Sequence, residues 1–189
     1  KTTAHLEAKG IQVYIGHAAE NVLGANVLVV STAIDHENPE VKAALEQRIP
    51  VVRRAEMLGE LMRYRHGIAV AGTHGKTTTT SLTGYLCEQS GLKTVMAGNI
   101  GLPVLDAWMQ NQGEADVWVL ELSSFQLDTT YSLQAAAATV LNISEDHLDR
   151  YNDLLDYAHS KTRIFSGEGV QILNADDALC VAMHRHGRP

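Results

Sequence analysis

The stretch Gly67-Ile68-Ala69-Val70-Ala71-Gly72-Thr73-His74-Gly75-Lys76-Thr77-Thr78 decides the fold of this chain. An apolar run opens it, a glycine-rich loop follows, and a run compatible with a helix extends from Thr79 to Gln89. A strand, a tight turn and a helix start, in that order, are the parts that hold a nucleotide phosphate. Backbone N–H groups attract the anion, the lysine adds positive charge, and the Thr77 hydroxyl can complete a Mg²⁺ shell. The stretch therefore predicts nucleoside triphosphate chemistry.

The loop departs from the strict phosphate-loop pattern at one position. The pattern G-x-x-x-x-G-K-[ST] requires glycine where this chain has Val70, and the first loop glycine here is Gly72. A Gly-Lys-Thr turn that binds no ligand is the alternative. The order of strand, loop and helix favours phosphate binding.

Composition excludes several classes of function. The 189 residues are 45% hydrophobic, which suffices for one good core or two small domains. A net charge of -7 argues against a nucleic-acid-binding surface. Cys87 and Cys180 lack metal-ligand spacing and are typical of reduced core residues, which predicts a cytoplasmic protein. The longest apolar stretch, residues 135–141, is too short to span a membrane, and no secretory signal is evident.

Strand and helix patterns alternate along the chain. Residues 11–15 alternate like a strand, residues 25–30 form a buried-type strand, and the last helix is predicted over residues 175–184. Alternation of this kind predicts an α/β protein with parallel sheets. We place a domain boundary in the Arg65-His66-Gly67 linker, which gives a first domain of residues 1–65 and a second of residues 66–189.

Polar residues follow the predicted strands of the second domain. Lys76 follows its first strand, Asn99 its second, Glu121 ends the third, and Glu145-Asp146-His147 follows the fourth. Open parallel sheets bind ligands beyond the carboxyl ends of their strands, so we expect these residues to converge on one crevice. A hydroxyl, a carboxylate and a histidine around a phosphate loop predict a site for metal-assisted phosphoryl transfer.

Several longer motifs together resemble the Mur ligases, the ATP-dependent enzymes that add amino acids to UDP-N-acetylmuramate in peptidoglycan synthesis. The motifs that carry the resemblance are Gly72 to Thr78, Gly98-Asn99-Ile100-Gly101, Glu121-Leu122-Ser123-Ser124-Phe125-Gln126 and Asn142-Ile143-Ser144-Glu145-Asp146-His147. The resemblance implies three-layer α/β domains with parallel sheets. The first would be a partial, Rossmann-like domain for the UDP-linked substrate, and the second an incomplete P-loop central domain for ATP.

The two parts of the chain resemble different branches of the family. Residues 1–80 resemble the branch that adds L-alanine, on stretches such as Val30-Ser31-Thr32-Ala33-Ile34. Residues 81–189 resemble the branch that adds D-glutamate, on stretches such as Leu120 to Leu127 and Asn174-Ala175-Asp176-Asp177-Ala178. We therefore expect a hybrid joined inside the helix that follows the phosphate loop.

The resemblance implies a nucleotide site with Mg²⁺. Lys76 would hold the β- and γ-phosphates of ATP, Thr77 would ligate a first Mg²⁺ with Glu121 alongside, and His147 would bind a second metal. Lys161 matches a family lysine that CO₂ carbamylates, which turns a cation into a metal ligand. The implied catalytic residues are Lys76, Lys161 and His147, and the implied nucleotide contacts are Gly72, Thr73, His74, Gly75, Lys76, Thr77 and Thr78.

The resemblance also implies a substrate and a reaction. Asn99 would contact the muramoyl substrate, with Ser123 and Gln126 in the same cleft. ATP would phosphorylate the substrate carboxylate to an acyl phosphate, and the amine of an amino acid, L-alanine or D-glutamate, would displace the phosphate. The chain is expected to lack the element that receives uridine diphosphate and the C-terminal domain of the family. A nucleotide-binding module without ligase activity, and a hybrid in which ligand binding is incidental, are the alternatives.

The individual residues also have plainer interpretations. Glu121 could be a surface carboxylate, His147 a helix cap, Lys161 a solvated lysine and Asn99 a turn former. Asp146, Asp149 and Arg150 could form a local ion pair.

Overall fold

The computed structural model describes residues 2–146 and 149–188, which form α-helices and parallel strands in alternation. Two compact units are present, of which the first ends at Arg54 and the second begins at Ala55. The α-helices are α1 (Thr2–Glu7), α2 (Pro39–Glu46), α3 (Arg54–Met62), α4 (Lys76–Gln89), α5 (Val104–Asn111), α6 (Ser124–Leu127), α7 (Leu154–Thr162) and α8 (Ala178–Val181), and two short 3₁₀ helices lie at Ala19–Val22 and Arg163–Phe165. The strands are β1 (Leu28–Val30), β2 (Val51–Arg53), β3 (Gly67–Ala71), β4 (Thr94–Gly98), β5 (Val117–Glu121), β6 (Ala137–Val140) and β7 (Val170–Leu173).

The first unit is a small α/β unit around the parallel pair β1–β2. Helix α2 starts where the sequence favours a start, because Asn38 accepts a hydrogen bond from the Glu40 amide and proline fills the first turn. The Arg53 guanidinium donates to the backbone carbonyls of Ser31 and Ile34, which ties the end of β2 to the loop after β1. The unit is thus a partial Rossmann-like arrangement of parallel strands with a covering helix.

The second unit is built on a five-stranded parallel sheet in the order β4-β5-β3-β6-β7. Strand β3 therefore lies at the centre, with β5 on one side and β6 on the other. All five residues of β5 are buried, as expected for an interior strand of a sheet covered on both faces.

The connections of this sheet run in two directions. The chain leaves β3 through α4 to β4, on one side, and leaves β6 through α7 to β7, on the other. Since parallel crossovers are right-handed, the two directions put α4 and α7 on opposite faces and give three layers. One hydrophobic core spans the sheet, and its largest fully buried apolar side chains are Trp118, Tyr157, Phe165, Met62, Leu120, Leu122, Leu127, Leu133 and Ile164.

Some predicted elements differ from the structure. The strand predicted at residues 11–15 is wrong, since this segment is irregular and Ile15 is 90% exposed. The last helix covers only Ala178–Val181, because Asp177 caps it and turns replace its predicted first residues. The predicted domain boundary after residue 65 stays a prediction. In the structure α3 is tied to the second unit by Glu56, whose carboxylate accepts from the amides of Tyr131 and Ser132.

No helix within residues 2–146 and 149–188 is both long and apolar enough to cross a membrane.

Candidate active site

The glycine-rich loop occupies the carboxyl end of the central strand. Strand β3 ends at Ala71 and α4 begins at Lys76, so the loop is residues 72–75. Gly72 has φ 146° and Gly75 has φ 71°, backbone conformations that favour glycine. A Cβ at Gly72 would also lie 3.1 Å from the Leu141 Cβ. The two glycines thus let the loop turn tightly into the N-terminus of a fourteen-residue helix, where backbone N–H groups attract anions.

Lys76 lies across this loop. Its Nζ donates to the carbonyl of Thr73 at 2.8 Å and to that of Gly72 at 3.1 Å, and the side chain is only half buried. These carbonyls hold the ammonium group over the loop, where a phosphate on the loop would meet it.

Glu121 and Thr77 meet at the edge of the sheet. Glu121 ends β5 directly beside β3, is 2% exposed, and accepts a 2.9 Å hydrogen bond from the Thr77 hydroxyl. Its other oxygen accepts from the Asn99 side-chain amide at 3.1 Å, and the Asn99 backbone N–H donates to the Glu121 carbonyl at 2.8 Å. The surface-carboxylate interpretation of Glu121 is therefore wrong. Asn99 is more than a turn former, because its side chain also donates to the Glu121 carboxylate.

The hydroxyl and carboxylate oxygens of this cluster fit Mg²⁺, which prefers hard oxygen ligands. Thr77 and Glu121 are the residues that would hold the ion. Among the residues that the structure describes, no group of three or more His, Cys, Asp and Glu side chains is arranged to hold a metal. His147, predicted as a ligand of a second metal, lies outside the described residues.

Lys161 is buried beneath the loop. It is 1% exposed, its Nζ donates to the Gly72 carbonyl at 3.2 Å, and the same nitrogen lies 4.3 Å from the centre of the Tyr157 ring. Burial, and then repulsion from Lys76, lower the pKa of Lys161 to about 8. The solvated-lysine interpretation is wrong, and a substantial fraction of this amine is neutral near pH 8.

Thr73 is a buried residue of the loop that makes structural hydrogen bonds. Its hydroxyl accepts from the Ser144 amide at 3.0 Å and lies 3.4 Å from the Tyr157 hydroxyl, and the residue is buried. By contrast His74, Gly75, Thr77 and Thr78 are exposed, so this face of the loop is open to a ligand.

Asn142 contacts the loop but was not among the predicted site residues. Its side-chain amide donates to the His74 carbonyl at 3.1 Å and accepts from the His74 amide at 2.8 Å. Asn142 lies within one of the motifs that carry the family resemblance, and its position after the fourth strand of the sheet was the signal that could have identified it.

Ser123 and Gln126 form a capping box at the start of α6. The Ser123 hydroxyl accepts from the Gln126 amide, and the Gln126 side chain accepts from the Ser123 amide at 2.9 Å. The pattern Ser-x-x-Gln is typical of a helix N-terminus. The substrate contacts predicted for this pair stay a prediction, and the structure gives both side chains a structural role.

Comparison with protein families agrees with this geometry. The family model described as the Mur ligase middle domain matches residues 70–187, and the model described as the Mur ligase family, catalytic domain, matches residues 1–66.

Two curated relatives are UDP-N-acetylmuramoylalanine–D-glutamate ligases. The protein from Chromobacterium violaceum is 54% identical over 186 residues, covering 95% of this chain and 41% of the relative. The protein from Methylobacillus flagellatus is 48% identical over 184 residues, covering 96% of this chain and 40% of the relative. The chain thus spans about two fifths of the length of these relatives. Because one glutamate ligase matches both sides of the expected junction near residue 80, the comparison does not support a hybrid.

A solved structure shares the fold. The crystal structure of UDP-N-acetylmuramate:L-alanyl-gamma-D-glutamyl-meso-diaminopimelate ligase from Neisseria meningitides has a TM-score of 0.71 and is 24% identical in sequence. The match covers 95% of this chain and 62% of that chain, which shows that the parallel-sheet architecture is shared.

Proposed function

This chain belongs to the Mur ligase family, and we propose from that premise that it is the Mg²⁺-ATP-binding portion of a ligase that adds D-glutamate to UDP-N-acetylmuramoyl-L-alanine. One observation carries the nucleotide assignment: a phosphate loop with Lys76 leads into α4 beside a buried carboxylate, with Thr77 and Glu121 2.9 Å apart. The choice of D-glutamate over L-alanine rests on the names of the two relatives.

The residues of the loop would bind and orient the phosphates of ATP. Backbone N–H groups at the N-terminus of α4 would attract the phosphates. Lys76 would exchange its bonds to the Gly72 and Thr73 carbonyls for bonds to the β- and γ-phosphates, which carry full negative charge. Positioning and charge neutralisation are the main contributions that a protein makes to phosphoryl transfer.

Thr77 and Glu121 would hold Mg²⁺ at the end of β5. When bound, the ion would neutralise charge on the transferred phosphoryl group. Glu121 is fixed for this role because Asn99 engages its second oxygen. His147 would serve a second metal, as the family resemblance implies.

We also propose that Lys161 reacts with CO₂. A lone pair on its neutral Nζ would attack the carbon of CO₂, a N–C bond would form, and the nitrogen would release a proton to solvent. The product is a carbamate anion whose two oxygens can ligate metal. Burial supports this assignment, because a buried ammonium group gains little hydration and its pKa lies at about 8.

The muramoyl substrate would approach the same edge of the sheet. Asn99 follows β4, and Ser123 and Gln126 follow β5, so these side chains are candidates for substrate contacts. Reduced Cys87 and Cys180 are consistent with the cytoplasmic location that we propose.

Release of phosphate from ATP tests this function. We expect the chain to bind ATP in a Mg²⁺-dependent manner. Any phosphate release should require both UDP-N-acetylmuramoyl-L-alanine and D-glutamate, and L-alanine should not replace D-glutamate. Mg²⁺-dependent ATP binding without any phosphate release would favour a nucleotide-binding module. Absence of ATP binding in a cooperatively melting chain would contradict the proposal altogether.

A further inference from the structure

A short segment after β6 lies against the phosphate loop. The chain turns from β3 toward one edge of the sheet and from β6 toward the other, so these two neighbouring strands flank the switch point of the sheet. Ligands of open α/β sheets bind in the crevice at such a point. Residues 141–144 leave β6 on one wall of this crevice, opposite the loop that leaves β3.

Asn142 joins the two walls. The Asn142 carbonyl accepts from the Thr73 amide at 3.0 Å, and its side-chain amide makes the 2.8 and 3.1 Å bonds to both polar groups of the His74 backbone. One asparagine thus fixes two consecutive residues of a loop that otherwise has glycine at both ends, Gly72 and Gly75.

The turn after β7 holds the Asn142 segment from the other side. The Asn174 side chain donates to the Leu141 carbonyl at 2.8 Å, and the Asp177 carboxylate accepts from the Ile143 amide at 2.7 Å. These two residues belong to the stretch Asn174 to Ala178, which the proposed function leaves without a role. A continuous set of hydrogen bonds therefore runs from the β7 turn, through residues 141–143, to the phosphate loop.

We propose that Asn142 is a positioning residue for phosphate binding: its side-chain amide fixes the His74 peptide and presets the loop for the anion. This inference rests on the proposed nucleotide function. A loop that is ordered before binding loses less conformational entropy on binding, so its affinity for the ligand is higher. The bonds to His74 are exposed, so their loss should change the stability of the fold little.

The test combines Asn142→Ala with a matched control, Asn111→Ala. Asn111 also bonds backbone through its side chain, to the Ala107 carbonyl at 2.8 Å, but at the end of α5. Amide hydrogen exchange of His74 is measured in the nucleotide-free chain, together with the thermal midpoint and the Kd for Mg²⁺-ADP.

In Asn142→Ala we expect the His74 amide hydrogen to exchange with solvent at least about fivefold faster. The variant should bind Mg²⁺-ADP about tenfold more weakly, and its thermal midpoint should be nearly unchanged. Asn111→Ala should leave both His74 exchange and the Kd unchanged. Unchanged His74 exchange in Asn142→Ala, or faster exchange with an unchanged Kd, would overturn the positioning role alone. If the unsubstituted chain does not bind Mg²⁺-ADP, the proposed function fails and this inference fails with it.

Discussion

The Thr77 hydroxyl donates a 2.9 Å hydrogen bond to the carboxylate of Glu121, which lies 44 residues away in the sequence. The register of the sheet produces this contact, because Glu121 is paired with Val70 on the neighbouring strand and the loop after that strand delivers Thr77. Strand pairing therefore places the Glu121 carboxylate of the proposed Mg²⁺ site, and the first turn of α4 places the Thr77 hydroxyl.

Glu121→Gln should reduce the dependence of nucleotide binding on Mg²⁺. The amide keeps the size of the side chain and a hydrogen-bonding oxygen for Thr77, but it lacks the charge that attracts the ion. We expect at least about tenfold weaker ATP binding in Mg²⁺ and little change in EDTA, measured by calorimetric titration. Glu88→Gln, on the exposed side of α4, is the control. Equal Mg²⁺ dependence in the Glu121 variant and the unsubstituted chain would rule out the metal role.

Gly98→Ala should destabilise the second unit by about 2–4 kcal/mol. A Cβ at this position would clash with the Glu121 carbonyl oxygen, and the backbone has φ 109°, which side chains disfavour. Gly91→Ala is a matched control, since it has φ 83° but no atom within 4 Å of the added Cβ, so about 1 kcal/mol is expected. Urea denaturation measures both values, and equal losses would show that the contact with Glu121 does not matter.

The free energy of unfolding should rise with pH above pH 8 because of Lys161. The folded chain loses the Lys161 proton near pH 8, whereas the unfolded chain keeps it until about pH 10.5. The unfolded state then binds more protons, so stability increases with pH. We expect a rise of about 2 kcal/mol between pH 8 and pH 9.5 relative to Lys161→Met.

This measurement needs CO₂-free buffer with EDTA, so that carbamate and metal do not contribute. The window stays below pH 10 because burial raises the pKa of Tyr151 and of Tyr157, whose titration would lower stability at higher pH. Burial also raises the pKa of Cys180 to about 11, which lowers stability within the window, and the comparison with Lys161→Met cancels this contribution because both proteins carry the thiol. Parallel pH profiles for the unsubstituted chain and Lys161→Met would contradict the lowered pKa.

The spacing of apolar residues along the sequence predicted those strands and helices whose buried positions follow the same spacing. Residues 67–71 form the predicted strand because both faces of the sheet are covered. Residues 11–15 alternate between apolar and polar side chains but form no strand within the described part of the chain, because alternation alone does not supply a neighbouring strand to pair with.

The sequence predicted where the site residues lie along the strands, but it did not predict their burial or their tertiary contacts. Glu121 was identified because it ends a buried apolar strand, and the structure places it beside Thr77. The burial of Lys161 depends on α7 packing below a loop 89 residues earlier in the sequence, which no local pattern reveals. The capping box of Ser123 and Gln126 was visible in the spacing of the two residues.

Calorimetric titration with Mg²⁺-ATP, comparing the unsubstituted chain with Lys76→Ala and Lys93→Ala, tests the central claim most directly. Lys93 is an exposed lysine that precedes β4, away from the phosphate loop, and it controls for the loss of one positive charge. We expect the unsubstituted chain and Lys93→Ala to bind alike, and Lys76→Ala to bind at least about tenfold more weakly, because a charge-assisted contact with phosphate is lost. Equal affinity in all three proteins, or no binding by any of them, would contradict the assignment of this loop to ATP.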